Sequence, residues 1–363
     1  MHEPRAMVEL PVVAFAVVAL VTLQLGTCRD SPHRDHPPAI AVAEDRYTVV
    51  WMRPARHGGA LLVQQFARDT LKPLGAPHAV VEREDLQQGG VELVAIDGGY
   101  IATSRVDDPN KKPVWATEIL AVRLDASGNA AGSVSTFSIM DEACHGAGVI
   151  EDRVVIPYIA IGRSHRYPKD ELGILVVDRL GGYLGDRLVA FSPYACAGAA
   201  RGREIAIAWT RRTDQGTLHV AFEQPFRGGR DERFAVPVGD VSLRTVRIAP
   251  HADGWAILHA DPGEHLRVAF VNTHGTLLRT RELPHHIDAS TVDFATNAHG
   301  LFVTWVDGGR VRLFRIDGES RALKAAGFRA SKTRALGDAA SCVTAWSTDR
   351  GKRVRIAKDT DCR

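Results

Sequence analysis

One apolar strand pattern returns seven times along the chain, at residues 47–51, 99–104, 153–158, 204–209, 255–259, 301–305 and 342–346. Four of these strands end on tryptophan, at Trp51, Trp209, Trp305 and Trp346. A bulky aromatic at one fixed position of a repeated sheet is expected to pack between neighbouring sheets rather than to stack on carbohydrate. After each such strand comes a second apolar strand that stops at an acidic or amide residue: Asp69, Asp125, Asp178, Glu223, Asn272, Asp317 and Asp359, about 48 residues apart on average. Asp and Asn stop strands by bonding their own backbone, and glycine follows closely at Gly128, Gly181, Gly275 and Gly318. These residues read as turn formers, not as catalytic or calcium-binding groups.

The region 291–328 shows one copy in full, with strands at 291–297, 301–306, 310–316 and 321–328 separated by Ala298-His299-Gly300, Asp307-Gly308-Gly309 and Asp317-Gly318. Four short strands in a meander make one twisted antiparallel sheet, which alone leaves both faces wet; stacking copies around an axis buries those faces. The period therefore predicts an all-β chain, a β-propeller over residues 39–363 with seven four-stranded blades, or six if the shorter last copy packs as a cap. That last copy, at 333–339, 342–346 and 353–358, lacks a fourth strand. An unpaired outer edge is a liability, and residues 37–43 or the segment before them are candidates to supply the missing strand.

The copy at 47–82 carries a resemblance. It runs from a strand ending in Trp51 through Arg56-His57-Gly58-Gly59 to Ala60-Leu61-Leu62-Val63-Gln64-Gln65-Phe66-Ala67-Arg68-Asp69 and then Pro73-Leu74-Gly75. This resembles the repeat of bacterial surface and secreted propeller lipoproteins, and degraded copies extend the likeness over nearly all of 39–363. The resemblance implies an architecture and no shared catalytic motif.

Residues 10–27 are apolar apart from Gln24 and end in Leu25-Gly26-Thr27-Cys28, after which the chain turns abruptly polar. This resembles a bacterial lipoprotein signal, which implies lipid on Cys28; it departs from that pattern in Thr27 and in a leader carrying Glu3 and Glu9 against Arg5. Residues 1–27 then form the signal segment and 28–38 a proline-bearing tether. An uncleaved anchor or an ordinary cleaved signal is the alternative, since 18 residues at ~1.5 Å each span roughly 27 Å, nearly a bilayer core. A buried core helix is the third reading. The first two place the body in the cell envelope or outside the cell.

With Cys28 set aside, Cys144, Cys196, Cys342 and Cys362 remain, an even number suited to two disulfides in an oxidising compartment. Cys144 and Cys196 fall in nearly the same place in the innermost strands of consecutive blades, each followed by small residues, which predicts a bridge between those blades. Cys342 and Cys362 are expected to close the terminal hairpin. No Cys-x-x-Cys pair supports a metal or redox site. A reactive thiol at Cys144 beside His145 is the sharper alternative, weakened because neighbours in a strand point to opposite faces.

The charges nearly cancel, 45 Lys plus Arg against 43 Asp plus Glu, so no basic surplus favours nucleic acid. No nucleophile elbow, zinc-binding His-Glu-x-x-His, phosphate loop or dinucleotide fingerprint occurs, and no cofactor or catalytic residue is assigned. The fragment Ser347-Thr348-Asp349-Arg350-Gly351 begins like a sialidase Asp-box but reads as a turn, and His285-His286 lacks further metal ligands. The best ligand candidates are Asp141 and, on a long loop, Arg163, His165 and Tyr167, suited to an anionic or polar ligand. Asp107, Asp108 and Glu142 with Asp141 are the clustered acids a glycosidase would need. The expected function is a monomeric binding or scaffold module for a protein or glycan at the cell envelope, reaching the membrane only through its N-terminus; a glycan-acting hydrolase or lyase, or a component of an envelope assembly machine, is the alternative.

Overall fold

The computed structural model describes residues 37–359 apart from 44, 55–57, 87–89, 108–116, 138–141, 161–169, 212–216, 225–231, 243–244, 253, 284–286, 289, 317–319, 323–332, 339–340 and 349–352. Everything described is strand, turn or irregular. Blade one is β1 (Ala39–Ala43), β2 (Arg46–Pro54), β3 (Gly59–Ala67) and β4 (His78–Arg83). Blade two is β5 (Val91–Ile96), β6 (Gly99–Asp107), β7 (Thr117–Asp125) and β8 (Ser135–Phe137). In blade three the innermost strand is broken into β9 (Glu142–Ala143) and β10 (Gly148–Ile150), both paired with β11 (Arg153–Ala160), followed by β12 (Glu171–Val177) and β13 (Tyr183–Phe191). Blade four is β14 (Pro193–Arg201), β15 (Glu204–Arg211), β16 (Leu218–Glu223) and β17 (Glu232–Val236). Blade five is β18 (Val246–His251), β19 (Gly254–Ala260), β20 (Leu266–Asn272) and β21 (Leu277–Glu282). Blade six is β22 (Asp293–Asn297), β23 (Gly300–Asp307), β24 (Arg310–Arg315) and β25 (Ser320–Ala322), and blade seven is β26 (Thr333–Asp338), β27 (Ser341–Thr348) and β28 (Arg353–Asp359).

All pairings within a blade are antiparallel. The innermost strands touch in succession, β1 to β5, β10, β14, β18, β22 and β26, and β26 returns to β1. The body is thus a closed seven-bladed β-propeller. Second strands are buried on both faces, as in β15 with Ile205, Ala206, Ile207, Ala208 and Trp209 all buried, so they read as continuous apolar runs. Outer strands face water: β21 exposes most of its length.

The repeated tryptophans do the packing expected of them. Trp51 lies with Val343, Ala345 and Val354 of blade seven, Trp209 with Ile150 and Val155 of blade three, Trp305 with Leu258 and Phe270 of blade five, and Trp346 with Val311 of blade six. Each therefore seals its blade onto the preceding one, and burial closes them to carbohydrate stacking. Of the acids read as turn formers, Asp125 accepts the backbone N–H groups of Ser127 (2.8 Å) and Asn129 (2.9 Å), and Asp178 those of Leu180 (2.8 Å) and Gly182 (2.7 Å). Asn272 does the same for His274 and Thr276. Glu223 departs from this: it is buried at the end of β16 and faces Arg187 of blade three, 3.7 Å away. Its longer stem lets the carboxylate leave the turn for an inter-blade ion pair.

The ring closes otherwise than the short last copy suggested. Residues 39–43 do not complete blade seven; as β1 they pair with β2, Ala39 opposite Val50, and form the innermost strand of blade one. The seam between blades one and seven is held by side chains. The Tyr47 hydroxyl donates to Asp338, which also accepts from Arg68 Nε at 3.0 Å and from Arg68 Nη2. Lys358 Nζ donates to the Arg68 carbonyl at 3.3 Å. Burial and then the adjacent Asp338 carboxylate push the Tyr47 phenol well above its usual range. Asp338 itself is held below the usual carboxylate range: burial acts upward, but the bonds from Arg68 and Tyr47 outweigh it.

Candidate functional site

Innermost strands of a propeller converge, and here the convergence forces small residues. Gly146 has φ +84°, and a Cβ added to it would lie 2.0 Å from the Gly198 carbonyl oxygen. A Cβ on Gly148 would meet that of Ala200 at 2.2 Å. The close approach joins blades three and four: His145 pairs with Ala197 in parallel, and Gly198 N–H donates to the His145 carbonyl at 2.6 Å. Cys144 and Cys196 are disulfide-bonded across this junction, with Cα atoms 5.1 Å apart. The predicted bridge is therefore present, and the reactive-thiol alternative at Cys144 falls with it. Cys342 is also disulfide-bonded, to a partner outside the described residues.

The same convergence gathers charge. Four blades carry a charged residue at one register position near the start of the innermost strand: Glu92 (opposite Thr103), Arg247 (opposite Leu258), Asp293 (opposite Thr304) and Arg334 (opposite Ala345). The corresponding positions of blades one, three and four hold Ala39, Cys144 and Ala197. Arg334 grips Glu92 with both ends of its fork, Nη2–Oε1 at 2.8 Å and Nη1–Oε2 at 3.2 Å, and donates to the Val91 and Pro38 carbonyls at 3.1 and 3.3 Å. Through Pro38 and Val91 one guanidinium thus ties blades one, two and seven. Asp293 accepts the Ala335 N–H at 2.7 Å and lies 3.9 Å from Arg334 and 3.5 Å from Arg247. His145, on the next position of blade three, stands 3.6 Å from Glu92. The charges of Glu92, Asp293, Arg247 and Arg334 cancel.

This environment sets the protonation states. Burial acts to raise the Glu92 carboxyl, but the Arg334 guanidinium and then His145 outweigh it and bring it down to about 2. Burial, and after it the positive charge of Arg247, bring His145 down to about 4 against the pull of Glu92. Burial also lowers Arg247, although Asp293 opposes it. At neutral pH Glu92 is thus a carboxylate and His145 a neutral imidazole.

The candidates from the loops do not enter this picture. Asp141, Arg163, His165 and Tyr167 lie outside the described residues, as do Cys28, Cys362, Asp108, His285 and His286; the side chains of Asp107 and Glu142 do too. No group of three potential metal ligands occurs among the described residues. The hub residues carry no distinctive signal in the sequence, for a physical reason. Val91-Glu92-Leu93, Val246-Arg247-Ile248, Val292-Asp293-Phe294 and Thr333-Arg334-Ala335 repeat a β-branched, charged, apolar triplet. That alternation is also how a half-exposed strand reads, and only the position of the strand in the blade turns its polar side toward the axis.

A second surface feature is apolar. Of nine exposed large hydrophobic side chains among the described residues, six fall within residues 180–194: Leu180, Tyr183, Leu184, Leu188, Phe191 and Tyr194. Most lie on β13, the outer strand of blade three, whose ladder is interrupted by two register shifts.

No protein-family model matches the chain, and no curated protein is detectably similar to it in sequence. Solved structures match it in fold. The BP39L lectin from Burkholderia pseudomallei gives a TM-score of 0.61 at 12% identity over 90% of this chain and 96% of the lectin. The polysaccharide lyase Uly1 gives 0.51 at 10% identity over 89% of each chain. An acylaminoacyl peptidase from Pyrococcus horikoshii gives 0.52 at 10% identity over 87% of this chain and 49% of its own, so this chain spans about half the length of that peptidase. At such identities the likeness is one of β-propeller scaffold.

Proposed function

We propose that the chain is an extracytoplasmic β-propeller, directed to the cell envelope by residues 1–27 and held there through lipid on Cys28 at the head of the 28–38 tether, and that it binds a protein or glycan partner as a monomer without transforming it. The observation that carries the binding reading is the pairing at the hub. Acid–base chemistry on a glycan needs one carboxyl kept protonated near neutral pH. Glu92 is instead held down to about 2 by Arg334 and His145, and Asp293 is engaged by Ala335 N–H and flanked by two arginines. The location rests on different support. The Cys144–Cys196 bridge and the oxidised Cys342 suit an oxidising compartment, and the apolar segment ending at Cys28 suits export and lipidation. The exposed apolar side chains of blade three are those of an interacting surface.

Two assays test this reading. Metabolic labelling with a palmitate analogue should mark the wild-type chain and not Cys28→Ala; unlabelled wild type in the cytosol would end the envelope reading. Incubation with neutral and acidic polysaccharides should give retention on the polymer with no new reducing or unsaturated ends. Product that accumulates with enzyme concentration would make the chain a hydrolase or lyase instead.

A further inference from the structure

The outer strand of blade three differs from the others. β13 runs nine residues, whereas the outer strands β4, β8, β17, β21 and β25 run three to six. Among the described residues no strand pairs with its outer edge, and it carries neither the lysine nor the proline with which such edges are commonly blunted. Its two register shifts against β12 leave Leu184 and Val189 as extra residues and keep Gly185 to Leu188 in regular pairing. Tyr183, Asp186, Leu188 and Phe191 therefore stand opposite Val177, Leu175, Gly173 and Glu171, all on one face of the sheet. Without the shifts Tyr183 and Asp186 would fall on opposite faces, and so would Leu188 and Phe191.

That face is apolar and acidic at once. Tyr183 is 50% exposed, Leu188 38% and Phe191 44%, and Leu180, Leu184 and Tyr194 extend the apolar surface at its two ends. Asp186 accepts from the Tyr183 hydroxyl and, at 3.4 Å, from that of Tyr158. Among the described residues no cation pairs with it or with Glu171. Burial and then the charge of Asp186 hold the Glu171 carboxyl above its usual range. Arg187, the cation of the strand itself, lies on the other face and is drawn to Glu223.

An open strand edge takes up another strand through its backbone groups, and the side chains beside it set the preference. Here the side chains are two acids without a cation among exposed apolar groups, which match basic and apolar residues on the same face of an incoming strand. A lipid surface fits less well, because it would press Asp186 and Glu171 against hydrocarbon. A second β13 paired about a twofold axis would bring the same acidic face alongside and no cation. We propose that the outer edge of blade three receives an extended segment of a partner protein, which pairs along Gly185 to Leu188 and sets basic and apolar side chains beside Asp186 and Leu188. This names the partner chemistry for the protein-binding side of the reading above and rests on that reading.

The test is fluorescence anisotropy of a dye-labelled, capped peptide, Lys-Thr-Val-Thr repeated over roughly nine residues, titrated with the full chain. Its odd positions put lysine and valine on one face. Binding should saturate in roughly the high micromolar range, and amide hydrogen exchange should slow across residues 185–188. Asp186→Asn keeps an acceptor for Tyr183 and should weaken binding by about threefold or more. Leu188→Ser removes exposed apolar surface and should weaken it by about the same factor. Both positions are exposed, so both variants should keep the circular dichroism of the wild type. A peptide with glutamate in place of lysine, and one N-methylated throughout, should not saturate. Absence of saturable binding, equal binding of either control peptide, or affinity unchanged in both variants overturns the proposal. Dimerisation of the chain that Leu188→Ser abolishes would assign the surface to a second copy and overturn it as well, as would binding to phosphatidylglycerol vesicles lost in the same variant. Polysaccharide retained without turnover while the peptide fails to bind would remove this surface and leave the binding reading standing, whereas turnover would remove that reading.

Discussion

Arg334→Met cuts the fork that holds Glu92 while keeping most of the volume of the arginine stem. Both residues are buried, Glu92 at 8% and Arg334 at 9% exposure, so the carboxylate left unpaired in the variant is not rescued by water. The folded carboxyl titrates at about 2, against about 4.3 in an unfolded chain, and that difference corresponds to about 3 kcal/mol of stability at neutral pH. The sign follows from the direction of the shift. A carboxyl depressed by folding stabilises fully above about pH 4.3, and this contribution drains away as pH falls toward about 2. In the variant burial, the largest influence on Glu92, is opposed only by His145, so the carboxyl protonates inside the fold. Urea unfolding followed by tryptophan fluorescence should therefore show Arg334→Met less stable than wild type by about 3–5 kcal/mol at pH 7, the range for removing one partner of a buried pair. The gap should fall to about half by pH 3. Adding Glu92→Gln in the same chain should recover part of the loss at pH 7 and none at pH 3. A gap below about 1 kcal/mol at pH 7, or one that stays constant between pH 7 and pH 3, would refute the assignment of Glu92 and Arg334 as a buried, charged pair.

Three further outcomes are expected. The double variant Cys144→Ala, Cys196→Ala releases a loop of 52 residues and should lose about 4 kcal/mol or less in the chain-entropy model, with denaturation then insensitive to reductant at this junction; a variant as stable as wild type would contradict the bridge as a tie between blades. Tyr47→Phe removes a buried hydrogen bond to the Asp338 carboxylate at the seam and should cost about 1.5–3 kcal/mol by denaturant titration at pH 7, whereas a loss under about 0.5 kcal/mol would mean that this bond does not hold the seam. Non-reducing peptide mapping should join Cys342 to Cys362, because Cys342 lies opposite Asp359 in the β27–β28 ladder; a Cys342–Cys28 peptide would contradict both this pairing and lipid on Cys28.

The second strands were the most legible part of the chain. Being buried on both faces, they show as uninterrupted apolar runs such as Ile205 to Trp209, and their tryptophans mark a constant place in each blade. Asp125, Asp178 and Asn272 were legible because an Asx turn is a local structure. The Cys144–Cys196 bridge was readable from two cysteines at equivalent distances before the second strands, each beside glycine and alanine. What escaped was long-range. Nothing local tells that residues 39–43 pair with β2 rather than completing blade seven, since either edge satisfies an apolar strand of that length. Glu223 occupies the sequence position of a turn former, and only the approach of Arg187 from blade three draws it inward. Glu92, Arg247, Asp293 and Arg334 belong to four blades, separated by as many as 242 residues, and become neighbours only when the ring closes.

The claim that the ring closes on a hub of paired charges is met most directly by a crystal structure of the chain. Seven blades should close with both ends of the Arg334 fork about 3 Å from Glu92 and with Asp293 lying between Arg247 and Arg334. A ring with another number of blades, or a Glu92 carboxylate standing free of Arg334, would contradict it.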